Sequence, residues 1–306
     1  MPPGGRIDWA TYYFRDRALA KALLTAQARG VHVRLVMESK PRRRGANDEV
    51  IRLLREGGLR SFYPRRWRPG RLHSKIYAFS HPDRCWVGSF NPSGDEPEDP
   101  AVIAEIGDQD RGDNLLAELT SPVLVGAARR AVSALSRASP LLARFDPRYP
   151  KQAGEGGTAL FFFPRLRPVP LLGSISGLGK GDRVSAAMSH LKPGPLLGSL
   201  ETAVKRGAKV ALVVHATERR VPAEVLDRQR LKGFEIARAG DGSASPMHAK
   251  MLLLRAGDRR ESWIGSYNSN FRSRHLNAEV LVRSEDAALF AAAEDRFHEI
   301  KARSDA

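Results

Sequence analysis

The chain has 306 residues, 42% hydrophobic and 27% charged, the balance of a soluble globular protein with an ample core. One cysteine, Cys85, excludes an internal disulfide framework and a Cys-rich metal site, and no apolar run nears the roughly 20 residues that span a bilayer. The formal net charge of +16 favours anionic partners, with nucleic acid and acidic lipid headgroups both eligible.

The start, MPPGGRIDWATYYF, lacks a signal peptide's basic-then-apolar pattern, so a cytoplasmic protein is expected. RIDWATYYFRD reads as a strand. LAKALLTAQARGVHVRLVME then reads as an amphipathic helix, a stop at Gly30 and a buried strand over 31–37. NDEVIRLLREGG is a second helix. KIYAFS, HPDR and CWVGS form a hairpin, and VIAEIGD is a further strand holding Glu105. Pro and Gly interrupt the pattern near RFDPRYPKQAGEGGTALFFFP. After that seam the same order returns. GDRVSAAMSHLK is a strand, LLGSLETAVKRGAKVALVVH a helix with its stop at Gly207 and a buried strand, and PAEVLDRQRLKG a helix. A hairpin follows with a longer turn (KMLLLR, AGDRRE, SWIGS), then a strand with Glu279 in LNAEVLVRS. Each half thus reads strand, helix, strand, helix, hairpin, strand, helix. This order predicts an α/β protein of two pseudo-symmetric α/β/α sandwich halves with mixed sheets, over 1–150 and 151–306.

Each hairpin carries the same polar residues. His73 and Lys75 open the first, and Ser89 and Asn91 close it; His248, Lys250, Ser266 and Asn268 repeat this in the second. Residues two apart on a strand share a face, and antiparallel pairing returns the Ser/Asn end beside the His/Lys end. Glu105 and Glu279 sit among apolar residues, where an ionised carboxylate is costly without a partner. The nearest deducible partner of each is the His of its own half, whose tautomer it would fix. No metal or cofactor motif accompanies these residues: there is no Cys cluster, His-Glu-x-x-His run, Asp-rich pattern or phosphate loop. Lysines, asparagines and serines in duplicate are donors and cations suited to a phosphate gaining charge in a transition state. Of the 50 basic residues only eleven are Lys, yet both His-x-Lys positions use it. Two imidazoles facing one phosphorus divide the labour: one attacks and the other protonates the leaving alcohol, then activates water or an acceptor alcohol.

These residues resemble the phospholipase D superfamily, whose HKD signature is His-x-Lys, an Asp after four intervening residues, then Gly-Ser-x-Asn. His73, Lys75, Gly88, Ser89 and Asn91 match in the first half, and His248, Lys250, Gly265, Ser266 and Asn268 in the second. Glu105 and Glu279 match the acidic residue the family often carries downstream. The resemblance covers nearly the whole chain. It implies one active site at a pseudo-twofold interface and metal-independent, two-step phosphodiester chemistry through a phosphohistidine, for which His73 is chosen as nucleophile. Two departures stand out. Ser80 and Arg255 replace the signature Asp, with Asp83 and Asp258 in the presumed turns. The helix that usually precedes the first strand has a counterpart only in the second half, VPLLGSISGLGKGD, so an upstream signal or anchor missing from this start stays open.

Three functions remain: a phosphodiesterase or phosphatidyltransferase of lipid metabolism, a nuclease of the same superfamily, and a catalytically dead polyanion-binding module. Two intact motif sets speak against the third. The substrate is expected to be an anionic phosphodiester, phospholipid favoured over nucleic acid, because nucleases resembling this family often carry one motif per chain. Peripheral membrane contact fits that preference, and no obligate protein partner is implied. An Arg-dense stretch (Arg42, Arg43, Arg44, Arg65, Arg66, Arg68, Arg71, with Tyr63 and Trp67) reads either as a solvated loop or as a ramp guiding a polyanion to His73. ALFFF is either a lining for acyl chains or a core strand. His190 and His215 sit late in their strands, where an α/β sheet presents its crevice.

Overall fold

The computed structural model describes the chain except residues 42–44, 67, 95–99, 101–111, 168–169, 216, 218–219, 240–245 and 306. Its strands form two mixed sheets. The first has the order β3-β2-β1-β4-β5-β6, built from Ser61–Arg65, His32–Glu38, Arg6–Thr11, Ile76–Phe79, Arg84–Gly88 and Leu116–Leu119. The second begins in the same order, β11-β10-β9-β12-β13-β14, from Glu235–Ala239, Lys209–His215, Arg183–Met188, Lys250–Ala256, Arg259–Gly265 and Glu279–Ser284. A hairpin of β8 (Thr158–Phe163) and β7 (Gln152–Glu155) extends it past β14. In both sheets the first three strands are parallel and the hairpin pairs antiparallel to the central strand.

Local chemistry explains the elements. The helix Arg17–Ala28 starts where Asp16 accepts the backbone N–H of Leu19 at 2.8 Å, and buries Ala20, Leu23 and Ala26 on one face. It stops before Gly30, whose φ of 89° only glycine adopts easily; Gly207, at 96°, ends the matching helix Pro195–Lys205. The helix Pro122–Arg137 starts on Ser121, which accepts from Leu124 N. It is buried nearly all round and rich in Ala, because it lies against β1, β2, β4 and β5 of one sheet and β7 and β8 of the other. The helix Ala287–Asp305 packs across β9 to β13 through Phe290, Ala293, Phe297 and Ile300. These two helices and the inner sheet faces form one central core, while two outer cores lie under the helices on each far face. β5 also touches β13 and β14 directly, so the sheets meet at one seam.

Some readings change. ALFFF is the core strand: Leu160 and Phe162 face the central core, Phe161 and Phe163 an outer one, so it lines no acyl groove. The second hairpin has the tighter turn, two residues at Gly257 and Asp258, because its strands run further; the first needs four, from Ser80 to Asp83. The strands β3 and β11 were not anticipated. β3 contains Pro64, which an edge strand tolerates since its outer side needs no ladder donor.

Candidate active site

Each His-x-Lys segment is bridged not to its own half but to the other. Leu72 pairs with Ala278 and Met247 with Asp113 in isolated parallel bridges. His73 N donates to Ala278 O at 2.9 Å, and His248 N to Asp113 O at 3.1 Å. Two glycines permit the crossings. A Cβ on Gly70 would sit 1.9 Å from Leu276 O, and one on Gly112 would sit 2.1 Å from Pro246 O. Asp113 anchors its crossing further by accepting from Arg296 and Arg303 of the last helix, at 2.6 and 2.7 Å.

The crossings decide what lies behind each imidazole. His73 Nδ1 is 2.8 Å from Glu279 Oε2. The same oxygen accepts from Ser266 Oγ at 2.6 Å, while Oε1 accepts from Ser273 Oγ and Asn277 Nδ2 at 2.8 and 3.4 Å. His248 Nδ1 is 2.8 Å from Asn114 Oδ1, which also accepts from Ser89 Oγ at 3.0 Å. Asn114 Nδ2 donates to Gly112 O at 3.1 Å, which fixes the amide with its oxygen toward His248. The expected own-half pairing is therefore corrected: Glu279 serves the first-half histidine, because the bridge at Leu72 lays that segment beside β14. Glu105 lies outside the described residues. The first-half position corresponding to Glu279 is Asn114: Leu115 N donates to Ser89 Oγ as Val280 N does to Ser266 Oγ.

The remaining motif residues divide by role. Ser89 and Ser266 are fully buried and spend their hydroxyl protons on Asn114 and Glu279. They orient the groups behind the histidines rather than donating to a phosphate, which corrects that expectation. Lys75 Nζ donates to His73 O at 2.7 Å, and Lys250 Nζ makes the equivalent bond to His248 O. Asn91 Oδ1 accepts from Tyr13 N at 3.3 Å and Asn268 Oδ1 from Ser189 Oγ at 3.1 Å, fixing both amides. The signature-Asp positions lie at the far ends of the hairpins. Ser80 accepts from Arg6 N there, and Arg255 pairs with Glu294.

Electrostatics couple the two sets. Burial is the larger pull on His73 and takes its imidazole down to about 4; Glu279 acts upward, and Lys75 and Lys250 add to the fall. Burial alone would raise the Glu279 carboxyl, but His73, Lys75 and the Ser266 hydroxyl together hold it below its usual range. The consistent state is a neutral imidazole giving Nδ1–H to an ionised carboxylate, with a lone pair on Nε2. His248 is also well below its ordinary value, from burial first, then Lys250, Lys75, Arg220 and His73. Both lysines thus act on both histidines.

Three site residues were not singled out from the sequence. Tyr12, at the end of β1, has its ring centroid 5.3 Å from that of His73 and 5.4 Å from Lys75 Nζ. Its hydroxyl accepts from Arg71 Nη1 at 2.5 Å. Arg220 is a buried guanidinium whose charge depresses both His248 and His190. Asn114 is the third. The end of β1 was a legible signal for Tyr12, the same one that drew notice to His190 and His215. His190 lies in this electrostatic neighbourhood, half-buried beside Ser189. His215 is buried, with Nδ1 accepting from Thr217 N at 3.1 Å.

The family model described as cardiolipin synthase, phospholipase D-like domain matches residues 4–96 and 178–301. The chain belongs to that family. No curated protein matches this phospholipase D-like chain by sequence. Among solved structures it is similar to phosphatidylserine synthase from Haemophilus influenzae, at 15% identity and a TM-score of 0.66, over 97% of this chain and 81% of that one. It is also similar to polyphosphate kinase from Porphyromonas gingivalis, at 14% identity and 0.63, over 96% of this chain but only 45% of the kinase. Nuc from Salmonella typhimurium, a phospholipase D family member, aligns with 47% of this chain and 92% of its own, at 15% identity and 0.40. The first two likenesses establish the fold. Members of the superfamily are phosphodiesterases and phosphotransferases. Among the described residues, no helix is long and apolar enough to cross a membrane.

Proposed function

We propose that the halves 1–150 and 151–306 share one active site, which transfers a phosphatidyl group from its headgroup alcohol to water or another alcohol without a metal. The observation that carries this is the crossed exchange: His73 leans on Glu279 and His248 on Asn114, each from the opposite half. Nε2 of His73, backed by a carboxylate, attacks phosphorus; a P–N bond forms as the P–O bond to the leaving alcohol breaks. His248 gives its Nε2 proton to the departing oxygen. A bound phosphodiester anion between Lys75 and Lys250 offsets their positive field, which draws that proton onto His248 beforehand. Water or an acceptor alcohol then attacks phosphorus, passes its proton to His248, and returns His73 with cleavage of the P–N bond.

A phosphatidyl substrate is supported by an apolar groove beside the Asn268 loop. A cavity of about 120 Å³ is lined by Leu171, Leu172, Leu196, Tyr267 and Phe271. A hollow of about 20 Å³ adjoins it, sharing Leu171, Leu196, Tyr267 and Ser269, and is also lined by Met251 and Lys250. A site of about 150 Å³ holds no more than a benzene, so this groove takes only the part of a chain nearest the phosphate. The rest would stay in the bilayer. Phe271 and Leu166 are 70% and 67% exposed at the rim, amid Arg165, Arg272 and Arg274, the mixture that suits an anionic membrane surface.

The test is to incubate the protein with phosphatidylglycerol vesicles, single-stranded DNA and RNA, with and without EDTA. Headgroup release that survives EDTA is expected, with a phosphatidylated His73 peptide trapped by a denaturing quench without acid, which would cleave the P–N bond. His73→Ala and His248→Ala should each lose at least ~10³-fold in turnover with unchanged thermal unfolding. Nucleic-acid cleavage without headgroup release would replace the lipid reading with a nuclease.

A further inference from the structure

Outside the catalytic seam, the described residues form a cavity of about 1010 Å³ whose wall includes Lys40, Arg66, Arg68, Arg71 and Arg272. Glu38 and Asp48 also line it. Some exposed arginines of this protein have a carboxylate within 4 Å: Arg17 has Glu49, Arg52 has Glu56, Arg84 has Glu118. The cavity guanidiniums do not. Among the described residues no carboxylate lies within 4 Å of Arg66, Arg68, Arg71 or Arg272. Gathering five like charges in a concavity is unfavourable unless an anion occupies it. The one buried carboxylate there opposes this weakly, since burial raises Glu38 to about 7 against the pull of its backbone donors and of Arg71 and Arg66.

The cavity is also tied to the catalytic seam. Glu38 Oε2 accepts from Leu72 N at 3.2 Å, one residue before His73. Arg71 bonds the hydroxyl of Tyr12, whose ring packs on His73. Arg272, from the second half, donates to Pro69 O at 2.8 Å and closes the far wall. One tyrosine side chain therefore stands between the cavity and the proposed nucleophile.

We propose that this cavity binds a second phosphate group, distinct from the phosphorus under attack. The proposal deepens the phosphatidyl-transfer reading and rests on it for the link to turnover, though not for binding. The preferred substrate then carries an additional phosphate, or free inorganic phosphate or pyrophosphate occupies the cavity beside a simpler one. Arg66 and Arg68 make the recognition, being exposed guanidiniums able to take phosphate oxygens in pairs.

The test compares wild type with the double variant Arg66→Gln/Arg68→Gln, and with His73→Ala. Pyrophosphate binding is measured by calorimetry. In parallel, headgroup release is measured from vesicles of phosphatidylglycerol and of phosphatidylglycerol phosphate, and hydrolysis of soluble bis(p-nitrophenyl) phosphate serves as the one-phosphate control. The double variant should bind pyrophosphate at least tenfold more weakly while His73→Ala binds it as wild type does. The control substrate should turn over equally in wild type and the double variant. A lower KM for the two-phosphate lipid that vanishes in the double variant assigns the group to the substrate. Loss of pyrophosphate binding alone assigns it to a free anion. Unchanged pyrophosphate binding and unchanged lipid preference would overturn the proposal. So would Arg66- and Arg68-dependent binding of a single-stranded oligonucleotide with pyrophosphate unbound. Absence of headgroup release by wild type would instead sink the transferase reading, leaving pyrophosphate binding to be judged separately.

Discussion

Two histidines that look alike in sequence differ in what backs them. His73 has a buried carboxylate that accepts four hydrogen bonds, and His248 an amide. A carboxylate raises the basicity of the nitrogen opposite it, which suits attack on phosphorus; an amide fixes the tautomer and leaves the ring a better proton donor. Asn114→Asp is therefore a direct probe. It places a negative charge 2.8 Å from His248 Nδ1 and should raise that ring's proton affinity. If His248 is the general acid, the basic limb of the kcat/KM profile moves up by about 1 unit or more. A profile unmoved by the substitution would remove His248 from that role. Such differences were only partly legible. The duplicated His-x-Lys and Gly-Ser-x-Asn could be read because they are dense in chemistry and short in span. Asn114 could not, because Glu279 comes fourteen residues after its motif glycine and Asn114 twenty-six, with an insertion between.

At the scale of elements, the repeat in the sequence appears as an identical strand order in both sheets, down to β3 and β11. Helices and inner strands could be assigned because their period and caps are local properties. The edge strand β3 was hidden by Pro64 and by Arg65, which report on exposure rather than on pairing. The exchange between halves was hidden for a deeper reason: parallel bridges at Leu72 and Asp113 leave no local pattern, only small residues where backbones cross. The motif glycines have the same origin. A Cβ on Gly265 would lie 2.2 Å from Val280 O, and one on Gly88 would lie 1.9 Å from Leu115 O. Gly265→Ala must push β14 away and drag Glu279 with it. Overpacking of this kind costs about 1–3 kcal/mol, and chemical denaturation should report a loss near the upper end, with turnover reduced as well. A stability change below ~0.5 kcal/mol would mean the strand retreats freely.

The whole molecule carries +16 and gathers part of that charge around one mouth. Of the Arg-dense stretch, Arg66, Arg68 and Arg71 line the cavity, Arg65 turns inward to Ser136 O, and Arg42, Arg43, Arg44 and Trp67 lie outside the described residues. Long-range attraction of this type is screened over about 10 Å at 0.1 M salt. Sedimentation with phosphatidylglycerol vesicles should therefore fall at least ~10-fold between about 0.05 and 0.5 M NaCl, whereas neutral phosphatidylcholine vesicles should show little dependence. Salt-independent binding would assign attachment to Phe271 and Leu166 instead. The crossing of the halves reaches further still. A change at position 279 is felt by a ring at position 73, so neither half can be altered there alone. A chimera that takes one half from a relative inherits a histidine stripped of the acceptor it pairs with here. Recombinants of this scaffold should regain activity only when positions 114 and 279 are exchanged along with the histidines they serve.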